Sequence, residues 1–231
     1  EAIDVIVQPE GVRRKRLLVA DMDSTMITIE CIDELADYAG IKAQVADVTE
    51  RAMRGELDFE GALDARVALL KGLPASVIDQ CYAERVKIMP GAKALIRTLR
   101  ARGAHTVLVS GGFTRFAEPV GAEIGFNRVV ANVLGIAAGR LTGGVADPIV
   151  DSARKRHELE TAMVERGIAP ALTMAVGDGA NDIPMIEAAG LGVAYHAKEK
   201  ARAAADAEIR HGDLSVLLYA QGIARKDWIE G

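Results

Sequence analysis

The sequence predicts an α/β protein with a parallel sheet and a small all-helical insertion. Three observations lead there. Short apolar runs, "LLVA" (17–20), "TVLVS" (106–110), "LTMAV" (172–176) and "LGVA" (191–194), have the length and the Gly or Asp flanks of buried strands. Helical patterns fall between them, and strands alternating with helices give a parallel sheet. Residues 31 to about 86 break the alternation, with several helical stretches and no convincing strand.

Taken in order, "AIDVIVQ" alternates Ile3, Val5 and Val7 like a lone strand, and the chain opens on Glu1. Residues 1–13 therefore read as a stub, the remnant of a longer N-terminal region. The basic run from Arg13 to Arg16 reads as a solvated linker into the first core strand. The core is expected over 14–30 and 87–221, the helical insertion over 31–86, and a tail over 222–231 that carries Trp228. Within the insertion lie "IDELADYAG", "AQVADVTERAMRG" and "DFEGALDARVALLKG", closed by Gly40, Gly55 and Gly72. In the third, Phe59, Leu63, Val67 and Leu70 recur at helical spacing and share one face. After the insertion, "AKALIRTLRARG" follows Pro90 and Gly91 and stops at Gly103. "VVANVLGIAAGRLTGGV", with Gly139 at its turn, reads as a hairpin-like excursion.

At 231 residues with half of them apolar, the chain can bury one ordinary core plus an insertion. A net charge of −5 spread over mixed signs, with 4% aromatic residues, argues against a nucleic-acid partner. No run of about 18 apolar residues and no signal-peptide pattern occurs, so no membrane partner is expected. Cys31 and Cys81 lie far apart, outside any metal spacing, and fit a reducing, cytoplasmic setting. Beside Glu30, Cys31 reads as a buried thiol without a base. His105, His157, His196 and His211 share no metal spacing.

Four pieces carry chemistry: "DMDST" (21–25), Ser110-Gly111-Gly112, a single Lys155 near a helix start, and "VGDGANDIPM" with Asp178, Asn181 and Asp182. Ligands of open α/β sheets bind beyond the carboxyl ends of the strands, where the strand-end motifs can converge. Asp21, Asp23 and Asp178 together make an oxygen-rich pocket that suits Mg²⁺. Such a cation removes the repulsion between carboxylates and an incoming phosphate, so that Asp21 can attack phosphorus. Covalent catalysis then leaves an alcohol that needs a proton and later a water that must lose one; Asp23 can serve both steps. Burial or a neighbouring anion would keep Asp23 protonated before attack. Gly111 and Gly112 allow close approach of backbone N–H groups to phosphate, and the Ser110 hydroxyl adds a donor. Lys155 supplies positive charge to the transferring oxygens; Asn181 contacts phosphate or substrate, and Asp182 supports the site from behind. Singly, a D-x-D or an "SGG" is commonplace, whereas all four in this order are not.

These motifs resemble the four signatures of the haloacid dehalogenase superfamily, specifically its phosphatases. The likeness extends through "DMDST…E", "AMRGELDFEGALDARVALLKGLP", "VSGGF", "GRLTG" and "VGDGANDIPMIEAAGLGVAYHAK", from about residue 17 to 219, to the branch that acts on O-phosphoserine. The resemblance implies a Rossmann-like core with a helical cap, Asp21 as phosphorylated nucleophile, and Asp23 as proton donor and acceptor that lends its backbone carbonyl to Mg²⁺. It further implies hydrolysis of O-phosphoserine to serine and phosphate, the last step of serine synthesis. Glu30, Met53, Phe59 and Arg66 would face the substrate; Arg66 can fork onto its carboxylate and Glu30 can pair with its ammonium. A cap that closes on substrate would exclude water, with hinges near 27–30 and 86–90. Two other readings stand beside it: transfer of the phosphoryl group to another alcohol, and a non-catalytic phospho-ligand sensor, against which the retention of both Asp21 and Asp23 argues. "DMDST" lacks the further ligands of a calcium loop.

Overall fold

The computed structural model describes residues 2–8, 11–54 (without the Met53 side chain) and 56–230. Strand β1 is Leu17–Ala20, followed by helices α1 (Cys31–Tyr38), α2 (Lys42–Met53), α3 (Phe59–Ala68), α4 (Ser76–Arg85) and α5 (Ala92–Ala101). Then come β2 (His105–Phe113), α6 (Thr114–Ile124), β3 (Arg128–Ala137), β4 (Arg140–Ala146), α7 (Ser152–Arg166) and β5 (Thr173–Gly177). The chain continues through α8 (Ile183–Ala188), β6 (Gly192–Tyr195), α9 (Glu199–Ala204), β7 (Ala207–Ile209) and α10 (Val216–Ala220). Sheet order is β4-β3-β2-β1-β5-β6-β7, and every neighbouring pair is parallel except β3 with β4.

β1 sits mid-sheet, and its alternate residues feed two cores. Leu18 and Ala20 join Leu108, Met174 and Val193 on one face; Leu17 and Val19 join Val107, Val109 and Ala175 on the other. Coverage of both faces by helices is why these strands read as unbroken apolar runs rather than as an alternation. No described helix is long and apolar enough to cross a membrane.

Four features differ from the sequence reading or were absent from it. The 129–145 segment is a hairpin but no excursion: β3 pairs in parallel with β2, so the hairpin forms the sheet edge. Its polar Asn132 is fully buried because the amide is satisfied, donating from Nδ2 to Gly111 O at 2.8 Å and accepting from Val150 N–H at 2.8 Å. Ser110, Gly111 and Gly112 do not follow β2 but lie inside it, in a bulge where the pairing passes from Ser110 with Ala131 directly to Phe113 with Asn132. Residues 2–8 form no ladder; Ile3, Val5 and Val7 are exposed, while Asp4 accepts from the N–H groups of Arg210, His211 and Gly212. The C-terminal segment packs back on the core, with Trp228 Nε1 donating to Ile223 O and Ile229 N–H to Thr98 Oγ1.

Helices α1 to α4 lie over one end of the sheet. Leu63, Val67 and Leu70 of the face read from sequence are buried together with Leu35, Ile78 and Cys81, in one cluster with Met22, Met26 and Ile27 of the core. The two segments joining these helices to the core run antiparallel: Ile27 bridges Ile88, Thr28 N–H donates to Lys87 O, and Met89 N–H donates to Met26 O. The β3–β4 hairpin grips the far side, through Gly72 N–H to Leu141 O at 2.8 Å and Leu141 N–H to Leu73 O at 2.9 Å.

Candidate active site

Beyond Ala20 the chain turns sharply. Asp21 N–H still bonds Val176 O at 3.0 Å, and the carbonyl of Met22 then accepts from the N–H groups of Thr25, Met26 and Ile27. Ser24 adopts the left-handed region with φ of 55°. Its hydroxyl donates to Glu30 Oε1 at 2.7 Å, which brings Glu30 back over Asp23.

Lys155 comes from the first turn of α7, whose N-terminus is capped by Asp151 accepting from Arg154 N–H at 2.7 Å. Its buried ammonium donates to Asp21 Oδ1 and, at 2.7 Å, to Asp182 Oδ1. The other oxygen of Asp182 accepts from the N–H groups of Asp178 and Gly179 at 3.1 and 3.0 Å. Asp182 is thus fully engaged beneath the loop. Gly177 leaves it room, since a Cβ there would lie 2.5 Å from Asp182 Oδ2.

A cavity of about 700 Å³ opens above these groups. Of the residues read from sequence, Asp21, Asp23, Glu30, Phe59, Arg66, Gly111, Gly112, Asp178 and Asn181 line it. Ser110, Lys155 and Asp182 lie behind its wall. The Ser110 hydroxyl accepts from Gly112 N–H at 2.9 Å, so that N–H is already committed, contrary to its expected role as a phosphate donor. The Met53 side chain lies outside the described residues; Thr49 and Ala52 of the same helix reach the cavity. Phe59 sits over the glycine bulge, where a Cβ at position 111 would meet its Cζ at 3.4 Å. The guanidinium of Arg66 donates to Ala62 O at 3.1 Å and has no carboxylate partner among the described residues.

The carboxylates that converge to within 4.8 Å are Asp21, Asp178 and Asp182, rather than Asp21, Asp23 and Asp178. Asp23 turns instead toward Gly112, where a Cβ would stand 3.1 Å from Asp23 Oδ2. Its Oδ1 is buried with no hydrogen-bond partner among the described residues. Burial and the nearby Glu30 carboxylate push the pKa of Asp23 up to about 7, against the opposing pull of the Cys31 thiol and N–H. That thiol, read from sequence as buried and without a base, lies beside the carboxylate; burial and Asp23 raise its pKa, which keeps it a proton donor. Burial and Asp182 hold Asp21 well above the ordinary range despite Lys155, and burial, Asp182 and Glu30 push Asp178 up to about 6. Burial works against the Lys155 ammonium, but Asp182 and Asp21 outweigh it and raise its pKa.

More negative charge is buried here than Lys155 neutralises. The donor set, oxygen only and with one carboxylate oxygen orphaned, therefore fits a divalent cation. The imbalance also fixes a pH dependence. A carboxylate whose folded pKa is raised favours the protonated fold, so its penalty is complete above the folded pKa and is relieved as pH falls toward the unfolded value. Calorimetry of the metal-free protein should show a higher Tm at about pH 6 than at about pH 8, and a bound divalent cation should flatten the difference. A Tm that rises from the lower to the higher pH without metal would show that these carboxylates are not strained.

Sequence reading missed Lys198 and Lys200, which line the cavity from the β6–α9 loop and α9, and Asn132, which ties the glycine bulge to Val150. The lysines carried no motif. Asn132 could have been noticed as a polar residue within an apolar run.

An acidic loop at the end of the central strand, a buried lysine and a second acidic loop after the adjacent strand make this an α/β protein with a carboxylate-lined site of the kind that suits phosphoryl transfer. The sequence profile of the family described as haloacid dehalogenase-like hydrolase matches residues 18–187, and the chain belongs to this family. It is 47% identical to a phosphoserine phosphatase of Albidiferax ferrireducens, over 88% of each chain. It is also 48% identical to a phosphoserine phosphatase of Mycobacterium tuberculosis over 97% of its own length, and spans 55% of that relative. A solved phospho-aspartyl intermediate analogue of phosphoserine phosphatase superposes with a TM-score of 0.82 at 37% identity, over 91% of this chain and all of that one.

Proposed function

We propose that the chain hydrolyses O-phosphoserine to serine and inorganic phosphate through a phosphoaspartyl intermediate on Asp21, with Mg²⁺ as the cation. The observation that carries this is one cavity holding Asp21 and an Asp23 whose Oδ1 has no hydrogen-bond partner among the described residues, with Glu30 and Arg66 beside them. The names of the relatives support the same substrate. Residues 14–30 and 87–221 would be the catalytic core and 31–86 its cap, in the last step of serine synthesis; the buried free thiols of Cys31 and Cys81 support a cytoplasmic setting.

In the reaction so read, Arg66 holds the substrate carboxylate and Glu30 its ammonium. Lys155 binds Asp21 Oδ1 and leaves Oδ2 to attack phosphorus. As the bond from phosphorus to the serine oxygen breaks, Asp23 gives that oxygen its proton, which a pKa raised to about 7 leaves on a large fraction of molecules near neutrality. Asp23 then takes a proton from water, whose oxygen attacks phosphorus and frees Asp21 together with phosphate. Asp21, Asp178 and the Asp23 backbone carbonyl would hold Mg²⁺, with Asp182 fixing the Asp178 loop from behind. When bound, the cation supplies charge neutralisation between carboxylates and phosphate.

Phosphate release should be metal-dependent, abolished by chelation, and should favour O-phosphoserine over small phosphomonoesters without a carboxylate. Arg66→Ala should cost about 1.5–3 kcal/mol, roughly 10- to 150-fold in kcat/KM, mostly through KM. Equal loss on phosphoserine and on an ester without a carboxylate would remove Arg66 from substrate recognition.

A further inference from the structure

Two cations of the cavity have no role in the reaction described above. Lys198 and Lys200 both line it, and both are exposed. The lysines that form ion pairs are Lys42, Lys93 and Lys155; among the described residues Lys198 and Lys200 form none. Lys155 already spends two of its three N–H donors on Asp21 and Asp182.

Charge inside the cavity poses a problem for entry. Asp21, Asp23, Glu30, Asp58 and Asp178 all line the same cavity, and the proton on Asp23 and the proposed cation offset only part of the repulsion that these five acidic groups offer a dianionic phosphate. Arg66 stands on the opposite, helical side and is largely desolvated, which suits a fixed contact better than an encounter. The two lysines stand on the core side, next to the loop that carries Asp178.

Their placement is built into the backbone. His196 takes the left-handed conformation, with φ of 45°. Its N–H donates to Ile209 O at 2.9 Å, and its Nε2 lies 3.0 Å from Gly212 O. Two residues on, Lys198 N–H donates to Asp178 O at 3.0 Å. A non-glycine residue held at positive φ and pinned on either side marks a segment whose course is enforced rather than free. The result is two ammonium groups, two residues apart, at the cavity wall beside Asp178.

We propose that Lys198 and Lys200 are the phosphate-capture residues of this site: they draw the dianionic group of the substrate into the cavity and pass it to Asp21, and they hold product phosphate on its way out. The proposal rests on the phosphatase reading above and extends it to entry, product inhibition and preference for dianionic esters. Lysine suits the task, being a compact, hydrated point charge on a flexible stem that can follow a moving phosphate. Steering by such charges raises association rates by about 10- to 1,000-fold and is lost as salt screens it.

The test compares Lys198→Met/Lys200→Met with wild type and with Lys42→Met/Lys226→Met, which removes the same charge away from the cavity. At roughly 0.01 M ionic strength the capture variant should lose about tenfold or more in kcat/KM for O-phosphoserine, with the loss in KM. At roughly 1 M, where the Debye length is about 3 Å, the variants should converge. Lys198→Arg/Lys200→Arg should retain most of the wild-type value. Independently of turnover, calorimetric titration with inorganic phosphate should give about tenfold weaker binding to the Met variant at low salt. An unchanged phosphate affinity, an equal loss in the control variant, or a salt-independent fall in kcat would overturn the proposal. If wild type binds phosphate through these lysines but does not turn over phosphoserine, the substrate reading fails and the capture site stands.

Discussion

Asp21→Asn should abolish turnover while leaving the metal-free fold as stable as wild type or more so. The loss follows from the covalent route proposed above: an amide oxygen is no nucleophile toward phosphorus, and no other carboxylate lining the cavity occupies the same position. A fall of about four orders of magnitude or more is expected, about 5 kcal/mol or more of transition-state stabilisation. The stability claim is less usual, because breaking a buried ion pair ordinarily costs several kcal/mol by stranding one charge. Here Lys155 is not stranded, since it keeps Asp182 at 2.7 Å, and asparagine still offers an oxygen. What the substitution removes is a carboxylate that burial and Asp182 already hold above its ordinary pKa. At pH 7 its ionised form works against folding, so its removal relieves repulsion with Asp182 and Asp23. Rapid-quench assays with radiolabelled substrate should find no phosphoprotein, and thermal unfolding in chelator should find Tm unchanged or raised. Residual phosphoprotein would place the nucleophile elsewhere; a Tm lowered by many degrees would make the Lys155–Asp21 pair a net stabiliser and contradict the charge imbalance described here.

The parts legible in the sequence were those where one residue type does one job. β1, β5 and β6 showed as apolar runs because both faces of the sheet are covered, and Asp21 and Asp178 showed because each terminates such a run. The glycine bulge was misplaced by a strand end, since "SGG" looks like a turn and nothing local says that β3 goes on pairing past it. α6 was hidden by Pro119 in its middle, and β7 is only three residues long. Within the site, Asp21 and Lys155 lie 134 positions apart, and no periodicity could report their contact. Lys198 and Lys200 look like any surface lysines; only the fold of the β6–α9 loop turns them toward the cavity. Asp182 was read as supporting the site from behind; that its carboxylate fills the space Gly177 leaves is visible only in the fold.

That space makes the smallest substitution in the chain one of the most damaging. Gly177 has no positive φ to protect and sits at the end of a regular strand, so backbone freedom does not explain it. Adding one methyl group would put a carbon 2.5 Å from Asp182 Oδ2 and 2.6 Å from its Cβ. Nothing there can yield cheaply: Asp182 is fully buried, with Lys155 on one oxygen and the N–H groups of Asp178 and Gly179 on the other. Overpacking together with loss of hydrogen bonds to a charged group predicts a cost of about 2–5 kcal/mol, a fall in Tm of roughly 5–15 °C. Displacing Asp182 also shifts Lys155 and the Asp178 loop, and a misplacement of about 1 Å in such groups costs on the order of 100-fold in turnover. Gly177→Ala should therefore lose activity even at temperatures where it remains folded. A double-mutant cycle separates this cause from a general weakening of β5. If the clash with the carboxylate is the mechanism, Gly177→Ala should cost much less stability in an Asp182→Ala background than in wild type, because the group it strikes is gone. Equal costs in the two backgrounds would mean that the methyl group meets something other than Asp182, and the account of why glycine stands at 177 would be wrong.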